Sequence, residues 1–550
     1  MSLTIQDVYP IPEETARVAH AVFAKGNPYM RMRDELGVFY QDESFASLFP
    51  TRGRPAESPA MLALVTVMQF AEDLTDRQAA DAVRSRIDWK YALGLELTDP
   101  GFDYTLLSDF RSRLLAGGLE TQLLDLMLER FKSLGLLGAG PPQRTDSTHV
   151  LAAVRQLNRL ELVGETLRQL LNSLASVAPD WLRVQVPAEW YERYGTRFEA
   201  TRLPQTAHER QALADQIGND GAVLLQVLDD PQTPVWLRQV PAVDLTRQIW
   251  AQQYRLQDGR WSMRPVKELP PAKELIDSPF DVAARFSYKR STRWVGYKVH
   301  LSECCAPDLP HLITHVETTS ATSCDVEITG AIHAALHSKQ LLPARHLADA
   351  GYLDAELLVQ AEQQYGIELY GPVSRDVSWQ ARAENGYALA DFHIDWANEQ
   401  ARCPQGQLSS LWSPGQDNRG QAVVTIHFDT QSCRRCAVRT QCTQAATKPR
   451  KLKVRPQAVH ETLVAARDRQ TTPEFKQQYQ ARRGVEGTIS QGTRAFGLRR
   501  TRYRGLEKTH LQHVATAAAM NLIRFHAWRD ERPFAPTRIS PFQKLETRAA

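Results

Sequence analysis

Two aspartates and a glutamate stand out by context among the 63 acidic residues of the chain. Asp146 lies in Gln143-Arg144-Thr145-Asp146-Ser147-Thr148, directly after the breaker run Gly138-Ala139-Gly140-Pro141-Pro142 and on a predicted strand. Asp349 ends a second predicted strand, His346-Leu347-Ala348-Asp349, immediately before an Ala350-Gly351 turn. Glu486 follows Tyr479, Arg482 and Arg483 at spacings that put all four on one face of a helix. Carboxylates that converge on a point offer the hard oxygen donors that Mg²⁺ prefers, with water and substrate phosphate completing its shell. Two such ions about 4 Å apart activate a water or a 3′-hydroxyl and stabilise the leaving oxygen of an in-line displacement. The simpler reading is a solvated Arg482–Glu486 pair worth about 0.3–0.5 kcal/mol. Gly484 and Gly487 oppose it, since each glycine costs about 1 kcal/mol inside a helix. Close approach of another backbone or of nucleic acid explains both.

Charge distribution supplies a substrate. Between Lys448 and Lys508 there are 16 basic and 5 acidic residues, a local net charge of +11 on a chain whose total is +3. A concentrated basic tract on an otherwise mildly acidic chain is the footprint of a nucleic-acid binder, although a solvated helical face can look the same. Phosphodiester DNA is the natural substrate beside such a tract. Upstream of the glutamate, Cys403, Cys433, Cys436 and Cys442 form a Cys-x29-Cys-x2-Cys-x5-Cys series in a turn-rich stretch. Four thiolates suit a tetrahedral structural Zn²⁺, which stabilises small segments lacking a core of their own. Cys304, Cys305 and Cys324 have no partners at ligand spacing and read as packing residues.

These side chains need elements to position them. At roughly 150 residues per domain, 550 residues predict three or four units. Contents of 43% hydrophobic and 23% charged residues exclude wholesale disorder and fibrous repeats. The best apolar run, around Met61–Phe70, stops at Glu72, short of a membrane span. The opening MSLTIQDVYP has no signal-peptide character, and seven cysteines are too few for a disulfide scaffold, so a reducing cytoplasm is expected. Residues 1–140 read as mostly helical, and so do Leu157 to Gln257. From Arg285 the texture changes. Val295, Tyr297, Val299 and Leu301 alternate as a strand, and His311–Thr318 returns as its hairpin partner. A helix over Asp325–His337, the Asp349 strand, a helix over Asp354–Tyr365 and a strand at Ile367–Gly371 follow. With Thr145–Leu151 as first strand, this is a mixed α/β sheet that places Asp349 at a carboxyl end, where ligands bind. Residues 375–455, with a strand at Ala422–Phe428, read as an insertion, and helices return from Glu461 to near Trp528.

Thr145-Asp146-Ser147-Thr148, Ala348-Asp349-Ala350-Gly351-Tyr352 and Tyr479-x2-Arg482-x3-Glu486 resemble the DDE signature of bacterial insertion-sequence transposases. The separations, 203 residues and then 137, resemble those of the subgroup with an insertion before the glutamate. Gly53–Leu62, Asp103–Arg111 and Asp281–Arg285 are also similar to segments of these proteins. The resemblance implies an α/β fold with a ribonuclease-H-like mixed sheet core. It divides the chain into a helical domain (1–140) that recognises terminal repeats, a core (141–152, 286–374 and 456–530), a helical insertion (153–285), a β/cysteine-rich insertion (375–455) and a flexible tail (531–550). Asp146, Asp349 and Glu486 would hold Mg²⁺ or Mn²⁺, and Tyr479 and Arg482 would contact end phosphates or buttress Glu486. Arg483, Arg494, Arg499, Arg500, Arg502, Arg504 and Lys508 would hold phosphates. The lysine that the family often carries seven residues after the glutamate is Thr493 here, with Arg494 beside it. Trp379, Trp396 and Trp412 are candidates either for stacking on a flipped base or for core packing. The implied activity is metal-dependent cleavage at element ends and 3′-hydroxyl strand transfer into target DNA. The implied state is a homodimer on DNA, cytoplasmic and nucleoid-associated, away from membranes. The alternatives are a nuclease of this fold that does not join, and a domesticated, non-catalytic DNA-binding protein.

Overall fold

Local signals in the sequence set the N-terminal helices. In the computed structural model, which describes residues 2–5, 10–198, 203–418, 420–532 and 542, seven α-helices precede the first sheet strand. They are α1 (Glu13–Val22), α2 (Pro28–Leu36), α3 (Pro59–Ala71), α4 (Asp76–Ser85), α5 (Ile87–Leu93), α6 (Thr105–Gly117) and α7 (Gln122–Ser133). Ser58 caps α3 by accepting from the Met61 amide at 3.1 Å, with Pro59 preset at the first helical position. Thr75 and Gln78 close a capping box on α4.

Strand β1 (Gln143–Leu151) follows. The chain then leaves the sheet for α8 (Arg159–Val177), α9 (Pro179–Gln185), α10 (Glu189–Tyr194), α11 (Ala207–Asp229), α12 (Pro241–Gln253) and the hairpin β2 (Tyr254–Gln257) and β3 (Arg260–Met263). This block has its own core, including Leu167, Leu170, Ile217, Leu228, Ile249 and Trp250. It rejoins the sheet through β4 (Arg285–Lys289), β5 (Thr292–Cys304) and β6 (Ile313–Ser320). Next come α13 (Val326–Ser338), β7 (Arg345–Leu347), α14 (Ala355–Tyr365) and β8 (Glu368–Tyr370).

The sheet is mixed. β1 runs antiparallel to β5 and parallel to β7, β7 runs parallel to β8, and β5 also pairs antiparallel with β4 and β6. The hairpin partner β4 was not among the predicted strands. Gly296 on β5 stands against β1, and its φ of 154° and the nearness of the Val150 carbonyl oxygen leave no room for a side chain. The Gly/Pro run at 138–142, hinge-like in sequence, is docked: the Gly140 amide donates to the Leu342 carbonyl, and the Gly140 carbonyl accepts from the Ala344 amide.

Residues 375–455 contain α15 (Trp379–Arg382), the pair β9 (His393–Asp395) and β10 (Gln400–Arg402), and strands β11 (Ser409–Gln416) and β12 (Ala422–Phe428). Two short helices, α16 (Thr430–Arg435) and α17 (Arg439–Cys442), lead to β13 (Lys451–Val454), which pairs with β12. Phe392, Ile426, Phe428 and Leu452 make a small core here. Trp396 and Trp412 meet edge to face at 5.3 Å beside it, the packing role, while Trp379 is half-buried at the start of α15.

The chain closes with α18 (Gln457–Arg469), α19 (Pro473–Tyr479), a 3₁₀ turn (Gln480–Arg483), α20 (Gly484–Ala495) and α21 (Leu506–Arg529). α21 is buried all round, as a central helix must be. It packs on β6 along one side and on α3 and α7 along the other, so the N-terminal helices and the sheet share one core. Its Asn521 side chain accepts from the Ile313 amide and donates to the Ile313 carbonyl, serving the β6 edge as another strand would. The tail expected at 531–550 falls almost wholly outside the described residues.

Candidate active site

Asp146 sits mid-strand on β1, paired in register with Leu301. Its Oδ1 accepts from the Ser147 amide at 2.8 Å, and its Oδ2 accepts from Arg482 Nη2 at 2.8 Å. Asp349 lies just past β7 and caps the 3₁₀ turn Ala350–Tyr352, its Oδ1 accepting from the Gly351 amide at 2.9 Å. Its Oδ2 stands 3.7 Å from the same Arg482 Nη2. Glu486, in the first turn of α20, places Oε1 3.7 Å from Arg482 Nη1. One guanidinium thus faces all three carboxylates. The surroundings are graded: Asp146 and Arg482 are nearly buried, whereas the Glu486 side chain is 67% exposed.

Burial pushes the Asp146 carboxyl above its ordinary range, Arg482 offsets part of that, and the neighbouring Asp349 adds to it. For Arg482, burial works against the charge, but Asp146, Tyr479, Asp349 and Glu486 together hold its proton more tightly than usual. Arg482 Nε is buried without a hydrogen-bond partner, so the carboxylates and not a fitted pocket keep this side chain in place.

Aromatic stacking delivers the arginine. Tyr370 at the end of β8 stacks on Phe475 at 4.8 Å, and Phe475 stacks on Tyr479 at 5.4 Å. The Tyr479 hydroxyl donates to the Ala348 carbonyl at 3.2 Å, next to Asp349. Sequence spacing predicts one helix face across Tyr479–Glu486. The path is instead α19, a tighter 3₁₀ turn and α20, and the Ala481 carbonyl in that turn accepts both from the Gly484 amide and from Arg144 Nη1 at 2.6 Å.

The other basic residues divide into two groups. Arg483, Arg494, Arg500, Arg504 and Lys508 are exposed. Arg499 is half-buried and donates to Thr148 Oγ1 at 2.8 Å, and Arg502 is tied to Asp73 and to the Leu74 carbonyl, joining this tract to the N-terminal helices. Thr493 turns its hydroxyl onto the Ile489 carbonyl at 2.7 Å.

Cys403, Cys433, Cys436 and Cys442 line one shared cavity with Phe392 and Phe428. Burial pushes the Cys442 thiol up to about 11, and the other three cysteines also affect it. Among the described residues, however, no three His, Cys, Asp or Glu side chains are gathered tightly enough to hold a metal ion. The tetrathiolate zinc geometry expected from the spacing is therefore not formed. At the carboxylates the physical reason is plain: Arg482 fills the space between them.

Three residues that sequence reading passed over complete the site. Glu303 on β5 is fully buried between Arg144 and Arg524. The one signal in the sequence was a lone acidic residue in a strand whose other charged residues, Arg293 and Lys298, are basic.

Residues 402–526 match a family described as a transposase DDE domain, and residues 17–113 match a transposase domain (DUF772). The first span contains Tyr479, Arg482, Glu486 and the four cysteines, and the second runs from α1 into α6; Asp146 and Asp349 lie outside both. No match was found among curated proteins or among solved structures.

Proposed function

We propose that the chain is an insertion-sequence DDE transposase, as its matches to two transposase domain families support, and that Asp146, Asp349 and Glu486 form its catalytic triad of carboxylates. The observation that carries this reading is the convergence of all three on Arg482. The donor set fits hard divalent cations, Mg²⁺ or Mn²⁺. When bound, two such ions supply an activated water or 3′-hydroxyl and stabilise the leaving oxygen. The chain's own residues do the rest. Arg482 neutralises three mutually repelling carboxylates and then meets the anionic DNA backbone as a planar donor suited to phosphate. Tyr479 anchors the approach to Ala348, and Arg483, Arg494, Arg499, Arg500, Arg504 and Lys508 extend the phosphate-binding surface. Arg502 docks the N-terminal helices instead.

The strand order around β1, with parallel neighbours on one side and an antiparallel pair on the other, supports a ribonuclease-H-like core made of residues 141–152, 286–374 and 456–530. Residues 153–285 and 375–455 are then insertions with cores of their own. In this reading residues 1–140 recognise terminal repeats, and two chains assemble around paired ends. Incubation with Mg²⁺ and a plasmid carrying the ends that flank its gene tests the function: nicked ends and joined products are expected. Nicks without joining would mark a nuclease, and neither product would defeat the reading.

The four thiols line one cavity in a segment with a small core, and a structural Zn²⁺ would draw them together from the separated positions they hold without it. Metal analysis of purified protein should return about one zinc per chain, and chelation should unfold residues 375–455 first. Protein isolated without zinc, and unaffected by chelator, removes this part of the proposal.

A further inference from the structure

Glu303 is the most deeply buried carboxylate beside the site. Its Oε1 accepts from Arg144 Nε at 2.6 Å, and its Oε2 accepts from Arg524 Nη1 at 2.6 Å and from Thr488 Oγ1 at 2.5 Å. Burial alone would raise its pKa, but Arg524 and Arg144 more than reverse this and hold it below the usual range. Each partner belongs to a different element of the site. Arg144 precedes Asp146 by two residues on β1, Thr488 follows Glu486 by two on α20, and Arg524 comes from α21. Arg524 also donates to Thr488 Oγ1 at 2.7 Å and to Gln491 Oε1 at 2.9 Å, both on α20.

Arg144 grips the intervening chain as well. It donates to the Ala481 carbonyl, and a side chain on Gly484 would collide with its guanidinium. Gly484 is therefore absent of a side chain for a reason of packing. Its backbone is ordinary right-handed helix that any residue adopts. The guanidinium takes the room a Cβ would need, midway between Arg482 and Glu486.

We propose that Glu303 is a positioning residue of the transposase site: through Arg144, Thr488 and Arg524 it fixes the 481–488 segment on β1, so that Glu486 faces Asp146. This rests on the carboxylate triad proposed above. A surface ion pair could not do this, because exposed pairs are worth too little to hold a helix in register. A fully desolvated carboxylate with three donors is intolerant of displacement, since any partner withdrawn leaves a buried charge exposed to an uncompensated penalty.

The test uses the full chain and Mn²⁺ alone. Glu303→Gln leaves two buried arginines without their anion and is expected to misfold, so milder changes carry the measurement. Thr488→Val should weaken Mn²⁺ binding, followed by electron paramagnetic resonance, about tenfold, and Thr488→Ser should restore it. Thermal unfolding supplies a metal-free readout. Gly484→Ala should lower the midpoint sharply in the native background and far less in Arg144→Lys, which keeps a positive charge toward Glu303 but lacks the colliding guanidinium. Thr488→Val with native Mn²⁺ affinity and only a lowered midpoint overturns the positioning role. A native chain that binds no Mn²⁺ defeats the triad instead. The unfolding cycle then decides the inference by itself, since additive effects of the 144 and 484 changes refute it.

Discussion

Asp349→Asn should abolish end cleavage and strand transfer while leaving the protein folded. The Asp349 Oδ1 that caps the Gly351 amide has an equivalent in asparagine, which is as good a cap as aspartate. The side chain is also one-third exposed, so no buried partner is orphaned. What disappears is one negative charge facing Arg482 and the anionic oxygen that the proposed metal site needs. A catalytic ion contributes several kcal/mol of charge stabilisation, so loss of one of its carboxylates should cost roughly 4 kcal/mol, about a thousandfold in rate. Single-turnover cleavage read beside thermal unfolding separates the two effects. Native joining activity in Asp349→Asn would remove this residue from catalysis, and an unchanged rate with a collapsed melting point would do the same.

Acid should destabilise the fold steeply between pH 6.5 and about 4. Burial lowers His300, His333 and His526 to about 4 and His513 to about 3, and it holds His346 well below its usual value. In the unfolded chain these imidazoles take up protons near pH 6.5, whereas buried His300, His333 and His526 stay neutral until about pH 4. The unfolded state therefore binds more protons throughout that interval, and stability rises with pH across it. Each of the three at about 4 contributes roughly 3 kcal/mol at neutral pH that is lost by the bottom of the window. Together they rival the whole stability of an ordinary domain. Glu303, held below its usual range, adds in the same direction, its contribution vanishing as pH falls through its folded value. Part of this lies against the site, where His346 Nε2 bonds Thr145 Oγ1 at 2.6 Å and His346 Nδ1 faces His333 Nε2 at 2.9 Å. Urea midpoints at pH 7.5 and pH 5 give the measurement, and equal midpoints would refute the argument.

How much of this was readable in the residues follows from how locally each feature is encoded. β1, β5, β6, β7 and β8 lie where alternation and breakers put them, because two-residue periodicity is a property of each segment alone. β12 coincides with the predicted Ala422–Phe428. That Asp146, Asp349 and Glu486 come together was suggested by their contexts, a strand after a breaker run, a turn and a glycine-flanked helix; that Arg482 faces all three was not. Glu303, Arg144 and Arg524 were not legible, since their meaning depends on burial and on partners as many as 221 residues away. The 3₁₀ turn before α20 was missed as well: helical spacing cannot reveal that a distant arginine also bonds the Ala481 carbonyl within it. Nor could periodicity reveal that the N-terminal helices complete the same core as the sheet.

That shared core has a consequence for the ribosome. Phe131 on α7 stacks near Phe525 on α21, at 5.6 Å, and α3 rests on the same late helix. At roughly 5–20 residues per second, the early helices wait tens of seconds before α21 is translated. During that interval the faces of α3 and α7 that it will cover stay wet and sticky. A nascent chain of this design needs chaperone shelter until its last long helix emerges, and messages broken before that point yield insoluble fragments instead of a working N-terminal half.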